Sequence, residues 1–228
     1  MRNASTRIPY DTPIKKKCRG SMQSVFCVTL PTERPCGETP ANAPAPGVSS
    51  PNSQTYKNKY FPTMIRSVSP DDAAQIAGIY NHYIEQTTIT FETEPVSETE
   101  MRQRIETIAS HYPYWVEEQD GRITGYCYAH QWKEKKAYQY TAETTVYVHP
   151  SHLRQGTGRR LMTTLLASCR EKGLHNLIAC ITYPNAASVR LHEQLGFRQA
   201  SRFHEVGRKF GQWLDIYDFE CRLLENEE

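Results

Sequence analysis

No apolar run among the 228 residues approaches the roughly 18 that a membrane-spanning helix needs, which excludes a helical span. No CxxC pair occurs among the seven cysteines (Cys18, Cys27, Cys36, Cys127, Cys169, Cys180 and Cys221), so zinc ribbons and thioredoxin-like redox motifs are excluded as well. Their odd number and wide spacing read as free thiols in a reducing compartment. Cys127, Cys169 and Cys180 sit in apolar runs, where a thiol acts as a small hydrophobe. His82, His111, His149 and His152 show no ligand spacing, and no metal is expected. Charge of one sign is also scarce, with 27 Lys and Arg against 25 Asp and Glu.

That balance conceals an asymmetry. Residues 1–63 carry nine basic and three acidic residues, net +6, and nine of the 14 prolines. Such a segment buries too little apolar surface to offset its ordering entropy, so a disordered basic extension is expected over 1–63. Its one apolar patch, Ser24–Leu30, is too short and too late for a secretory signal. A cytoplasmic location is expected; the scarcity of acids leaves mitochondrial targeting as the alternative. Residues 64–228 hold 18 basic and 22 acidic residues, net −4, without the basic footprint that nucleic-acid binding leaves. The functional domain is expected to be 64–228.

Within it, Met64–Val68 alternates like a short strand. Ser69-Pro70-Asp71-Asp72 supplies an N-cap, a proline at the first helical position and acids in the first turn. Ala73, Ile76, Ala77, Ile79, Tyr80, Tyr83 and Ile84 follow at helical spacing. Ser97-x-x-Glu100 opens a second helix with a capping-box pattern. Tyr114–Val116 and Arg122–His130 read as strands joined at Asp120-Gly121, a hairpin signal. Tyr138–His149 reads as one long strand. A glycine turn, Arg154–Gly158, leads into a helix striped with Leu161, Met162, Leu165, Leu166 and Cys169 and ended by Gly173. Leu177–Ile181 reads as a buried parallel strand, Asn185–Leu195 as a short helix, and 197–206 and 213–223 as two strands around a turn at Gly207 and Gly211. The expected class is α/β: a mixed sheet of about seven strands with about four helices.

The strand–glycine turn–helix is the first chemical signal. Glycines let backbone amides turn toward an anion, and the helix N-terminus adds partial positive charge worth ~0.3–1 kcal/mol. No Gly-Lys-Ser/Thr follows, so it is not a P-loop, and Gly156-Thr157-Gly158-Arg159-Arg160-Leu161 lacks the third glycine of a dinucleotide fingerprint. Asn185–Phe197, one βα unit later, is the second. Together the two segments resemble the GCN5-related N-acetyltransferases, the GNAT family. The family's turn is Gln/Arg-x-x-Gly-x-Gly/Ala; here Leu153 holds the first position and Arg154 the next. Asn81-His82-Tyr83-Ile84-Glu85, Phe91-x-Thr-Glu-Pro95, Tyr112-Pro113, Trp132-Lys133, Ala137-Tyr138, Thr141-Ala142-Glu143-x-Thr145-Val146-Tyr147-Val148 and Ser188-Val189-Arg190-x-His192-Glu193 extend the likeness to the phosphinothricin and methionine sulfoximine N-acetyltransferases.

The resemblance implies a mostly antiparallel seven-stranded GNAT sheet with a splayed central parallel pair, acetyl-CoA as co-substrate, a small amine acceptor and a homodimer. It implies that Arg154, Gln155, Gly156, Thr157, Gly158 and Arg159 hold the pyrophosphate, and that Asn185 and Ser188 flank the pantetheine arm. Backbone amides of Val146 and Val148 would face the thioester oxygen, where one amide contributes ~2.7–4 kcal/mol to a transition state. Glu143 is the expected base. An amine with a pKa near ~10.4 is neutral in about one part in a few thousand at pH 7, a handicap of roughly 4–5 kcal/mol. His192 or Tyr147 would assist the departing thiolate. Phe91, Lys133, Lys135 and Tyr138 are the implied acceptor-binding residues, the lysines in cis or across a dimer. The alternatives are acetylation of ordinary amino acids, polyamines or peptide N-termini, and a non-catalytic acyl-CoA-binding module.

Overall fold

The computed structural model describes residues 63–223; the expected extension and its cysteines Cys18, Cys27 and Cys36 lie outside the described residues. β1 (Met64–Ser67) leads to Ser69, whose hydroxyl accepts from the Asp71 amide while the Asp72 carboxylate takes the Ser69 amide at 2.7 Å. Pro70–Asp72 forms a single 3-10 turn before α1 (Ala73–Gln86). The reciprocal capping box thus stands at Ser69. At the start of α2 (Glu98–Ala109), Ser97 caps the Glu100 amide at 3.1 Å, but the Glu100 carboxylate pairs with Arg104.

β2 (Tyr114–Gln119) and β3 (Arg122–Gln131) form the expected hairpin, with Asp120 and Gly121 both at positive φ. β4 (Thr141–Val148) begins later than the sequence reading has it. Lys136–Tyr138 instead closes a 3-10 turn, in which the Tyr138 ring meets Trp132 edge-on at 5.2 Å and the Lys133 ammonium lies 3.9 Å from the Trp132 ring centre. α3 (Thr157–Glu171), β5 (Asn176–Tyr183) and α4 (Ala186–Gln194) follow. β6 (Arg198–Lys209) and β7 (Gln212–Arg222) turn at Phe210-Gly211 alone. Gly207, expected in that turn, lies inside β6 next to a bulge, under the ring of Phe91. Any side chain there would run into that ring.

The strands form one sheet in the order β1-β2-β3-β4-β5-β7-β6, antiparallel except for the central pair β4–β5. α3 buries Leu161, Met162, Leu165 and Cys169 against one face, with Cys127, Leu177 and Phe219. Each such aliphatic side chain contributes about 1.5–3 kcal/mol. α1 and α2 cover the other face through Ile76, Ile84 and Ile105 against Val116 and Tyr126. Alternation along β5 puts Leu177, Ala179 and Ile181 on the α3 side. Cys180 therefore points the other way and is exposed, not buried as its apolar run implied.

Candidate active site

β4 and β5 pair only through Thr141–Asn176, Ala142–Leu177 and Glu143–Ile178. Beyond that point the strands diverge, and the Thr144 hydroxyl donates to the Ile178 carbonyl at 3.2 Å at the fork. The gap is a groove of about 1020 Å³. The Gly156–Gly158 turn and the start of α4 border one end, and Ile89–Phe91 and Glu143 border the other. Peptide groups along a strand face alternate sides. The His149 amide donates to Thr124 across β3 at 2.8 Å. Val148 and Val146 therefore turn their peptide groups away from β3, into the fork, where the Val148 carbonyl accepts from the Tyr83 hydroxyl at 2.6 Å.

The glycine turn is held from beneath. Glu117 is buried on β2, and its carboxylate accepts from Thr124 at 3.0 Å, Thr157 at 2.7 Å and Arg160 at 2.8 and 2.9 Å. Arg160 also donates to the Gln155 carbonyl at 2.9 Å. Burial alone would raise the Glu117 carboxyl, but Arg160 and the two hydroxyls hold it below the usual range. The Arg160 charge, adjacent in sequence to Arg159, is thus paired to Glu117. Gly156 sits at φ 83°, the left-handed region, and a Cβ on Gly158 would come within 3.3 Å of Leu191. The first amides of α3 have no partners within the helix and open on the groove. A bare backbone cradle beside Arg154 and Arg159 fits a pyrophosphate.

Asn185 caps α4, its side-chain oxygen taking the Ser188 amide at 3.1 Å. His192, one turn on, is 3% exposed and lines the groove. Its Nδ1 lies 2.8 Å from the Ser188 carbonyl, which can only accept, so Nδ1 carries the hydrogen. Burial lowers the His192 pKa, although the Ser188 carbonyl opposes this. The ring is therefore neutral at pH 7, with a bare Nε2 that accepts rather than donates. Tyr147 packs among Tyr80, Tyr83 and Tyr126, and burial pushes its hydroxyl well above its ordinary pKa.

Glu143 stands at the fork. Burial raises its carboxyl above the usual range; His130 counters this and Asp218 adds to it. The Nε2 of His130 on β3, a residue not singled out from the sequence, lies 3.8 Å from the Glu143 Oε1. Phe91 reaches the groove on a segment held by bonds on both sides of it. The buried Lys209 ammonium donates to the Thr90 carbonyl at 2.8 Å, Thr182 to the Ile89 carbonyl at 3.2 Å, and Tyr80 to Glu92 at 3.0 Å. Of the sequence-derived candidates, Gln155, Lys133, Lys135 and Tyr138 stand off the groove lining. The Gln155 side chain binds the Ser151 carbonyl instead.

A sheet split at the one parallel pair among its described strands, with an anion cradle at one end and a carboxylate at the other, fits a group-transfer site for a long phosphate-bearing donor. The family described as Acetyltransferase (GNAT) domain matches residues 65–217. The chain belongs to the GNAT acetyltransferases. It is 41% identical over 155 residues to a phosphinothricin N-acetyltransferase of Streptomyces viridochromogenes, covering 68% of this chain and 85% of that one. To the L-methionine sulfoximine/L-methionine sulfone acetyltransferase of Salmonella typhimurium it is 37% identical, over 71% of this chain and 95% of the relative. Among solved structures, the acetyltransferase YncA of Salmonella typhimurium with its cofactor acetyl-CoA aligns with a TM-score of 0.71 at 36% identity, covering 73% of this chain and 97% of that one.

Proposed function

We propose that residues 64–228 transfer acetyl from acetyl-CoA directly to the α-amine of a small amino-acid analogue of the phosphinothricin or methionine sulfoximine/sulfone type. The observation that carries this reading is Glu143 at the fork, at the far end of a groove whose mouth is the glycine cradle. The names of the relatives support the acceptor class.

In this reading Gly156, Thr157, Gly158, Arg154, Arg159 and the backbone of Gln155 hold the pyrophosphate, and Asn185 and Ser188 flank the pantetheine arm. Acetyl-CoA bound there supplies an activated acetyl carbon. Glu143 takes a proton from the acceptor ammonium, and its raised pKa suits that exchange near neutrality. Amides of Val146 and Val148 donate to the oxygen that gains charge. Tyr147 serves the departing thiolate, because the bare Nε2 of His192 has no hydrogen to give. Phe91 contacts the acceptor. Lys133, Lys135 and Tyr138 stand off their own groove, so in a homodimer the two lysine ammonium groups serve the partner's acceptor carboxylate. Exposed Phe203, Val206, Phe210 and Trp213 on the β6–β7 hairpin offer that dimer an apolar face. The expected compartment is the cytoplasm.

The test is release of free thiol from acetyl-CoA with phosphinothricin, methionine sulfoximine, methionine sulfone and the common amino acids. Glu143→Gln is expected to lower turnover by about 10²–10⁴-fold at pH 7, the deficit shrinking as pH approaches the amine's own pKa. Unchanged turnover at neutral pH removes Glu143 from the mechanism.

A further inference from the structure

At neutral pH an ammonium acceptor and a thioester yield an amide, a thiol and one surplus proton. The acceptor nitrogen gives up two protons as it gains the acetyl carbon, and the sulfur leaving that carbon takes one of them. The other has to leave a site whose base is largely buried: the Glu143 side chain is 29% exposed. His130 stands beside it, and its ring chemistry is fixed by its neighbours. Nδ1 lies 3.1 Å from the Gln131 carbonyl, an acceptor only, so the hydrogen of the neutral ring is on Nδ1. Nε2 is thereby bare, and it is Nε2 that faces Glu143 Oε1 at 3.8 Å. That distance is longer than a hydrogen bond's, and a small torsion of either side chain closes it. One side of the ring lies against Tyr128, with centroids 5.7 Å apart, and the side chain is 33% exposed. The β3–β4 register holds the two residues directly opposite each other.

We propose that His130 is the second member of a proton relay, taking from Glu143 the proton removed from the acceptor amine and passing it to solvent. The proposal rests on the acetyl-transfer reading above and adds a residue to it. In the first step an ammonium N–H bond breaks and a Glu143 O–H bond forms. In the second the O–H bond breaks and an Nε2–H bond forms. The imidazolium then loses that proton to water and the pair is reset. Other titratable groups around the pair are Tyr128 on β3, Cys180 on β5 and Asp218 on β7. The Asp218 carboxylate accepts from Ser201 at 2.9 Å. These neighbours add negative charge or none beside the pair.

The productive form is the proton-free pair. Two groups in contact titrate as a unit, and the pair gains its first proton at a higher pH than a lone carboxylate would. The acid limb of kcat in the natural protein therefore lies at higher pH than in a variant without the imidazole. The experiment is the pH dependence of kcat for the full-length protein, wild type, H130Q, H130A and E143Q, at saturating acetyl-CoA and the best acceptor, with melting temperature as the folding control. H130Q is expected to lose about tenfold at pH 7, less than the ~10²–10⁴-fold of a primary base because water still reaches the carboxylate. Its acid limb is expected to move to lower pH. Added imidazole should restore most of the loss in H130A and none in E143Q. A wild-type profile in H130Q, or a lowered plateau with an unmoved limb and no rescue, overturns the relay while leaving acetyl transfer intact. No thiol release from the wild-type protein with any amine overturns the acetyl-transfer reading, and the relay with it.

Discussion

Glu117 shows how one side chain far from the chemistry sets the geometry of a binding turn. It accepts from three residues on two elements, and it belongs to the strand beneath the glycine turn rather than to the turn itself. Glu117→Ala leaves Arg160 and the Thr157 hydroxyl without their carboxylate acceptor, at a cost of about 1–3 kcal/mol, and loosens the loop that carries Gly156. The expected result is a lower melting temperature together with a higher KM for acetyl-CoA, read by calorimetry and thiol release. The pH dependence has a definite sign. The folded carboxyl is held below its unfolded value near 4.5. Its contribution is complete above that value and disappears as pH falls through the folded pKa. Wild type should therefore lose more stability than the alanine variant on acidification below about pH 5. Glu117 was invisible in the sequence because Glu117-Glu118 reads as a solvated pair at the end of a strand. Only the β2–β3 hairpin and the seating of α3 reveal that one of the two faces inward.

The elements divide by how local their determinants are. Among the described residues, the seven strands, four helices and their order were legible, because caps, hairpin turns and apolar periodicities act over a few residues. Asp120-Gly121 is such a case: two residues that tolerate positive φ define a hairpin. The late start of β4 was not, since Tyr138 is drawn out of the strand by Trp132 and Lys133, a contact between aromatic and cationic groups that composition hides. The placement of Gly207 was missed for a related reason. Two glycines four apart both look like turn residues, yet only Gly211 turns the chain, while Gly207 makes room for a ring contributed by a segment more than a hundred residues earlier. Gly207→Ala pushes Phe91 off its seat. With Lys209 and Thr182 still anchoring the backbone, the expected consequence is a several-fold higher KM for the acceptor and little change in KM for acetyl-CoA, measured by varying each in turn. Equal changes in both would mean that the strand, not the ring, had moved. Among the candidate residues, those tied to the glycine turn and to the Thr-Ala-Glu strand came from motif. His130 came from register, which depends on how the 132–140 connection closes.

At the scale of the whole molecule, the two hydrophobic clusters and seven strands found among the described residues make up a complete sheet with both faces covered. A chain beginning at Met64 is therefore expected to fold, to retain kcat and KM for both substrates, and to elute in the same oligomeric state as the full chain, by gel filtration and thiol-release kinetics. Loss of activity in a well-folded truncated chain would assign a role to residues 1–63. The two ends of the groove have different builders. α3, α4 and the staple from β2 form the mouth; the 87–97 segment, β3 and β6 form the far end; β4 is the main element common to both. Evolution can consequently exchange one amine for another by editing Phe91 and its supports while leaving the coenzyme berth untouched, so descendants of this scaffold can diversify in diet without relearning how to hold their donor.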